Sequence, residues 1–85
     1  MKLTQKQLDK IKEKYNLVGR ELEIVKLIFD HIEAEKEIGK KLNIAEGTVE
    51  VHLQRIYNKT GFRKKISLVL NIIDMLDLHG LLSHK

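Results

Sequence analysis

Cysteine is absent from this chain. That one absence excludes disulfides, thiolate catalysis and cysteine-zinc sites together. Proline is absent too, and glycine occurs five times in 85 residues, so little interrupts a helix apart from a few turns. β-Branched residues never alternate with polar ones over a useful length, so strands are not expected. No apolar run is long enough to cross a bilayer and no secretory signal opens the chain. A cytoplasmic location with no membrane partner is therefore expected. There is no glycine-rich phosphate loop, nucleophile elbow or buried acid pair, and an enzyme is not expected. Internal repeats and low-complexity segments are missing as well.

What remains is one small domain. Hydrophobic residues make up 42 % of the chain, enough for a compact fold and too many for disorder. A chain this short buries roughly 60–65 % of its unfolded surface, so its core is marginal. Without disulfide or metal staples, stability must come from helix packing, to which a partner subunit would add.

The apolar spacing predicts an all-α fold: a small helical bundle with a central helix-turn-helix, four core helices and an extra N-terminal helix. The first helix is expected over residues 4–15. Thr4 and Gln7 have capping-box spacing, and Leu8, Ile11 and Tyr15 form one apolar stripe. After a turn at 16–19, a second helix is expected over 20–30, with 31–33 as a weak break. The third covers 34–42, with Ile38 and Leu42 inward. Asn43, Ile44 and Ala45 make a three-residue turn. The fourth runs from 46 to about 58 or 60, with Val49, Leu53, Ile56 and Thr60 buried, and Gly61 ends it. The last is expected over 64–78 and is apolar on two sides. Ile66, Val69, Ile73 and Leu76 make one stripe; Leu68, Ile72 and Met75 make another, with Leu70 between them. A domain this small cannot bury both stripes alone, and exposed apolar area of that size marks a contact surface. The Leu68, Ile72 and Met75 stripe is read as a homodimer interface. The competing reading is that the N-terminal helix folds over and covers it.

Charge is concentrated on one part of the chain. From 36 to 65, eight lysines and arginines face three glutamates, a surplus of five positive charges. The rest of the chain holds eight against nine, a net −1. The sequence pI near 9.4 fits an anionic partner. The positive field thus sits on the short helix, turn and longer helix that make up a helix-turn-helix, a unit that places one helix in a DNA groove.

These residues also carry a family resemblance, covering about residues 17–69. The chain resembles the LuxR-type helix-turn-helix DNA-binding domain of bacterial response regulators and quorum-sensing regulators. Arg20-Glu21-x-Glu23 is similar to that family's R-E-x-E opening, and Lys36-Glu37-Ile38-Gly39 to its K-E-I-A. Glu46-Gly47-Thr48-Val49 matches E-G-T-V, and His52 takes the family's histidine position. The stretch from Ile56 to Phe62 is similar to I-Y-x-K-L-G-V. The resemblance implies a four-helix fold, dimerisation through the last helix and a role in transcription. Residues 1–16 are then an N-terminal helix or linker segment, and 17–85 the LuxR-like domain. Three departures stand out. The connection between the second and third helices is one residue longer than usual and lacks the family's glycine. Ala45 stands where a serine N-cap is common. Glu50 and Gln54 stand where many members carry lysine on the DNA face.

Double-stranded DNA is the expected partner, and RNA polymerase is a candidate further one. Candidates for reading bases are Glu50, Val51, Gln54 and Arg55. Glutamate accepts from cytosine N4, valine touches a thymine methyl, glutamine pairs with adenine and arginine prefers guanine. Backbone contacts are expected from Lys36, Thr48, His52, Asn58, Lys59, Arg63, Lys64 and Lys65. Lys36 and Thr48 are assigned because they match family positions that meet the DNA backbone. Cations near phosphates give affinity without sequence information. Glu50 repels phosphate and is expected to make the protein choosier. No cofactor is expected and no metal, since His31, His79 and His84 lack ligand spacing with carboxylates. Two rival functions fit less well. A region-4-like domain of a sigma factor would bind promoter DNA without a self-dimer. A helical protein-interaction module would have lost DNA binding altogether.

Overall fold

In the computed structural model, which describes residues 1–77, Thr4 opens the first helix by the reciprocal bonding its spacing predicts. Its hydroxyl accepts the Gln7 amide at 3.1 Å, and the Gln7 side chain accepts the Thr4 amide at 2.9 Å. Five helices follow in order: α1 (Gln5–Tyr15), α2 (Arg20–Phe29), α3 (Glu35–Leu42), α4 (Glu46–Thr60) and α5 (Lys65–Met75). There is no strand among the described residues, and the fold is a small all-α bundle built around a helix-turn-helix. The helix boundaries fall within a residue of the spacing-based expectation except at the end of α5. The expected end of the last helix, near Leu78, lies outside the described residues, as do His79 and His84.

Single residues set the joints. Asn16 and Asn43 end α1 and α3 in the left-handed region, with φ of 58° and 57°. Asparagine tolerates that conformation better than most residues. Asn43 and Ile44 then donate back to the carbonyls of Lys40 and Gly39, closing the turn into α4. Gly61 ends α4 at φ 84°, its amide bonded to the Tyr57 carbonyl. In the α2–α3 connection, where the related pattern has glycine, His31 takes φ 69°, a strained value for a residue with a Cβ.

One core joins all five helices. Leu3, Leu8, Ile11 and Leu17 pack in the same buried cluster as Ile24, Val25 and Ile28 of α2, Ile38 of α3, Val49, Leu53 and Ile56 of α4, and Leu68, Ile72 and Ile73 of α5. Residues 1–16 are thus packed into this core along with the helices that follow.

That packing corrects the reading of α5. Leu68 and Ile72, expected at a dimer interface, are completely buried. Met75 is partly buried and lies beside Lys10, Glu13 and Lys14 of α1. Leu68 and Ile72 enter a cluster that also holds Leu8 and Ile11 of α1 and Ile24, Val25 and Ile28 of α2. The exposed apolar side of α5 is instead Ile66 and Leu70, 60 % and 42 % accessible.

Candidate nucleic-acid interface

The helix-turn-helix presents α4 to solvent along one whole side. Val49, Leu53 and Ile56 are buried beneath it, while Glu50, Val51, Gln54, Arg55 and Asn58 are all exposed. At about 100° per residue, these five spread across the face opposite the core. Val51, half exposed, is the apolar member of the group. An exposed valine between polar side chains gains nothing from water, but it suits a thymine methyl.

Gly39 fixes how closely α3 and α4 approach. A Cβ at this position would sit 2.7 Å from the Ile44 carbonyl oxygen and 3.6 Å from the Val49 side chain. The close turn therefore depends on the missing side chain. At the start of α4, Ala45 supplies no side-chain bond, and the first-turn amides of that helix have no side-chain cap. Thr48 is exposed on this turn. Amides without a side-chain cap and a hydroxyl at a helix N-terminus are a setting that favours an anion.

The expected backbone-binding residues separate into three groups. Lys36, Thr48, Asn58, Arg63 and Lys64 are exposed. Lys36 shares a depression with Lys40 and Lys41, and Asn58 and Arg63 share another with Gln54 and Tyr57. His52 is partly buried, and its Nδ1 is buried without a hydrogen-bond partner. The third group is Lys59 and Lys65, whose ammonium groups already have carboxylate partners.

Lys59 is directed inward. Its Nζ donates to Glu21 at 2.8 Å and to the Asn16 carbonyl at 3.0 Å. Glu21 is the buried charged residue of the core, and the same carboxylate oxygen accepts the Val18 amide. Burial alone would raise the Glu21 carboxyl. The hydrogen bonds from Lys59 and Val18, with the positive charges of Lys59 and Arg55, outweigh it and hold Glu21 below its ordinary value. Lys59, still exposed along its length, thus has a structural partner in the buried Glu21.

Lys65 donates to Glu35, joining the first turn of α5 to the first turn of α3. Tyr57 stands beside this pair. Its phenol is raised by burial, with Lys65 lowering it and Glu35 raising it. Spacing had not singled out Tyr57 as a site residue. The signal was present, since Tyr57 lies three residues beyond Gln54 and seven beyond Glu50, on the same side of the helix. It lines depressions on both sides of that stripe. Glu21 was visible in the R-E-x-E opening without a role, and Glu35 had no signal in the sequence.

Comparison with known proteins gives a consistent result. The family described as bacterial regulatory proteins, luxR family, matches residues 16–72. That span holds α2 to α4 and most of α5, and leaves α1 outside. The chain is 38 % identical over 64 residues to a protein of Escherichia coli (strain K12) named "Putative HTH-type transcriptional regulator YhjB". The aligned part is 73 % of this chain and 32 % of that protein, so the chain spans about a third of the relative's length. No solved structure matches.

Proposed function

The chain belongs to the luxR family of bacterial regulatory proteins, and from that premise we propose that it is the sequence-specific DNA-binding unit of a transcriptional regulator. In this reading α4 lies in the major groove. Glu50, Val51, Gln54 and Arg55 meet base edges. Lys36, Thr48, Asn58, Arg63 and Lys64 hold the phosphates on either side, with His52 at their margin.

The observation that carries the reading is the exposed polar side of α4, set over a helix-turn-helix in a chain of this family. It is flanked by cations but is itself nearly neutral, since Glu50 and Arg55 oppose each other. Phosphate contacts supply affinity and register, while such a reading face supplies choice.

Assembly as a homodimer through α5 belongs to the same proposal. Ile66 and Leu70, one helical turn apart, offer the apolar stripe for it. Two-fold symmetry then sets two half-sites about one turn of DNA apart. RNA polymerase is a proposed further partner. Selection of bound sites from a random duplex pool, followed by anisotropy titrations at low and moderate salt, tests the reading. A recovered inverted repeat bound more tightly than random DNA is the expected result. No binding to any duplex at low salt would overturn it in favour of a protein-interaction module.

A further inference from the structure

We propose that Glu35 sets DNA selectivity by holding the Lys65 ammonium, so that a phosphate must displace a carboxylate before Lys65 can join the interface. This rests on the DNA-binding reading and goes beyond it to a residue outside the helix-turn-helix reading face.

The geometry of the pair supports an exchange. Glu35 and Lys65 lie 30 residues apart and meet between α3 and α5. Their side chains keep 30 % and 25 % of their exposure, so both are open to solvent and to a ligand. The pair also borders the reading side of α4. Glu35 and Lys65 line one depression together with Glu50, Gln54 and Tyr57. A DNA strand lying along Glu50 and Gln54 therefore passes close to Lys65.

The electrostatics explain why an anion belongs there. Lys65 is the first residue of α5 and follows the N-cap, Lys64. That first turn contains no acidic residue, and the cap makes no side-chain bond. Two lysines at the positive end of a helix are disfavoured, and an anion beside them is favoured. In the free protein Glu35 is that anion. A phosphate offers the same chemistry at the same ammonium.

The two paired lysines differ in this respect. The carboxylate held by Lys59 belongs to Glu21, 7 % exposed and also bonded to the Val18 amide. Removing Lys59 would leave a buried charge, so that pair is fixed. The Glu35–Lys65 pair is partly exposed, and such pairs are weak enough for a competing phosphate to break. Around the depression, Glu35 and Glu50 outnumber Lys65. A random duplex meets this net negative charge with no base contacts to offset it. A matched duplex offsets it through Glu50 and Gln54, and selectivity rises.

The test compares wild type, Glu35→Gln, Lys65→Gln and the double variant by fluorescence anisotropy. One duplex has random sequence and the other is a site selected from a random pool. Glu35→Gln is expected to bind the random duplex about two- to fivefold more tightly. Its salt slope should steepen by about 0.9, the value of one added phosphate contact. The gain should be smaller on the selected site and absent when Lys65 is also glutamine. Glu35→Ser, which suits a helix first turn, should give the same gain and covers a glutamine variant that fails to fold. A wild type that binds neither duplex removes the regulator reading and this inference with it. A wild type that binds, with either no gain in the Glu35 variants or an equal gain in the Lys65→Gln background, overturns the inference alone.

Discussion

Lys59 turns away from the exposed side of α4 and bonds Glu21 at 2.8 Å, tying the end of α4 to the start of α2. The Asn16 carbonyl accepts a second bond from the same ammonium, and beside it the Tyr15 and Phe62 rings meet edge to face, 6.2 Å apart. The end of the exposed helix is thus fastened to the turn that leads out of α1. Lys59→Met should lower stability by about 1–3 kcal/mol, because it leaves the Glu21 carboxylate buried without its charge partner. Urea unfolding measures this. Adding Glu21→Gln should recover part of the loss, since a neutral amide costs less to leave there. A Lys59→Met domain with unchanged stability and weakened DNA binding would return Lys59 to the interface.

The same carboxylate sets an acid limit. Glu21 titrates below its ordinary value of 4.5 in the folded protein. A carboxylate with a lowered folded pKa stabilises the fold above its unfolded pKa, and that contribution is lost as pH falls through the folded value. Stability should therefore decline from about pH 4.5 downward. Thermal melts of Glu21→Gln should show lower stability at neutral pH and a shallower decline over that acid range. Parallel curves for the two proteins would show that Glu21 does not drive the acid limb.

Gly39 offers a test of the turn. Alanine in a helix is ordinarily better than glycine by about 0.5–1 kcal/mol. Here the added methyl would lie 2.7 Å from the Ile44 carbonyl oxygen, a backbone atom that moves only if the turn moves. Overpacking of this kind costs about 1–3 kcal/mol, more than the propensity gain. Gly39→Ala should therefore lower the melting temperature, even though alanine stands at this position in the related pattern. It should also weaken DNA binding, since the turn sets α4 against α3. A more stable variant would mean that the turn yields easily.

These cases mark what the sequence can and cannot convey. The Thr4–Gln7 box, the three-residue turn after Leu42 and the Gly61 cap are local, and spacing specifies them. The buried side of α4 was also legible, because Val49, Leu53 and Ile56 fall on a single stripe. α5 was not, since both of its stripes are apolar. Periodicity gives no reason to bury Leu68 and Ile72 rather than Ile66 and Leu70; that depends on where α1 and α2 pack. Charge has the same limitation. A lysine's position on a helix does not reveal a carboxylate 38 residues away, as with Lys59 and Glu21, or 30 residues away, as with Lys65 and Glu35.

Substitutions on α5 separate its core from its free side. Leu68→Ala removes a completely buried side chain and should cost about 2–5 kcal/mol. Leu70→Ala should change the stability of the protomer by less than about 0.5 kcal/mol. Leu70→Asp places a charge on the exposed stripe and should convert dimers to monomers in sedimentation experiments, with the fold retained. A wild type that stays monomeric at high concentration would remove the α5 dimer and favour the sigma-like arrangement.

In the proposed reading Glu50 is the residue on which selectivity turns most directly. It is exposed on α4, and its only work toward phosphate is repulsion. Glu50→Lys reverses that charge without touching the core. Random duplexes should bind more tightly, and the dependence on salt should steepen by about 0.9 for each phosphate gained. Loss at the selected site should run the other way, because a lysine cannot accept from cytosine N4 as a glutamate does. The two effects together would shrink the ratio between selected and random affinity. Unchanged affinity for random duplexes would sink the idea, since a carboxylate that does not repel phosphate cannot lie near the DNA. A variant that gained equally on both duplexes would place Glu50 beside the backbone, outside the set of base-reading residues.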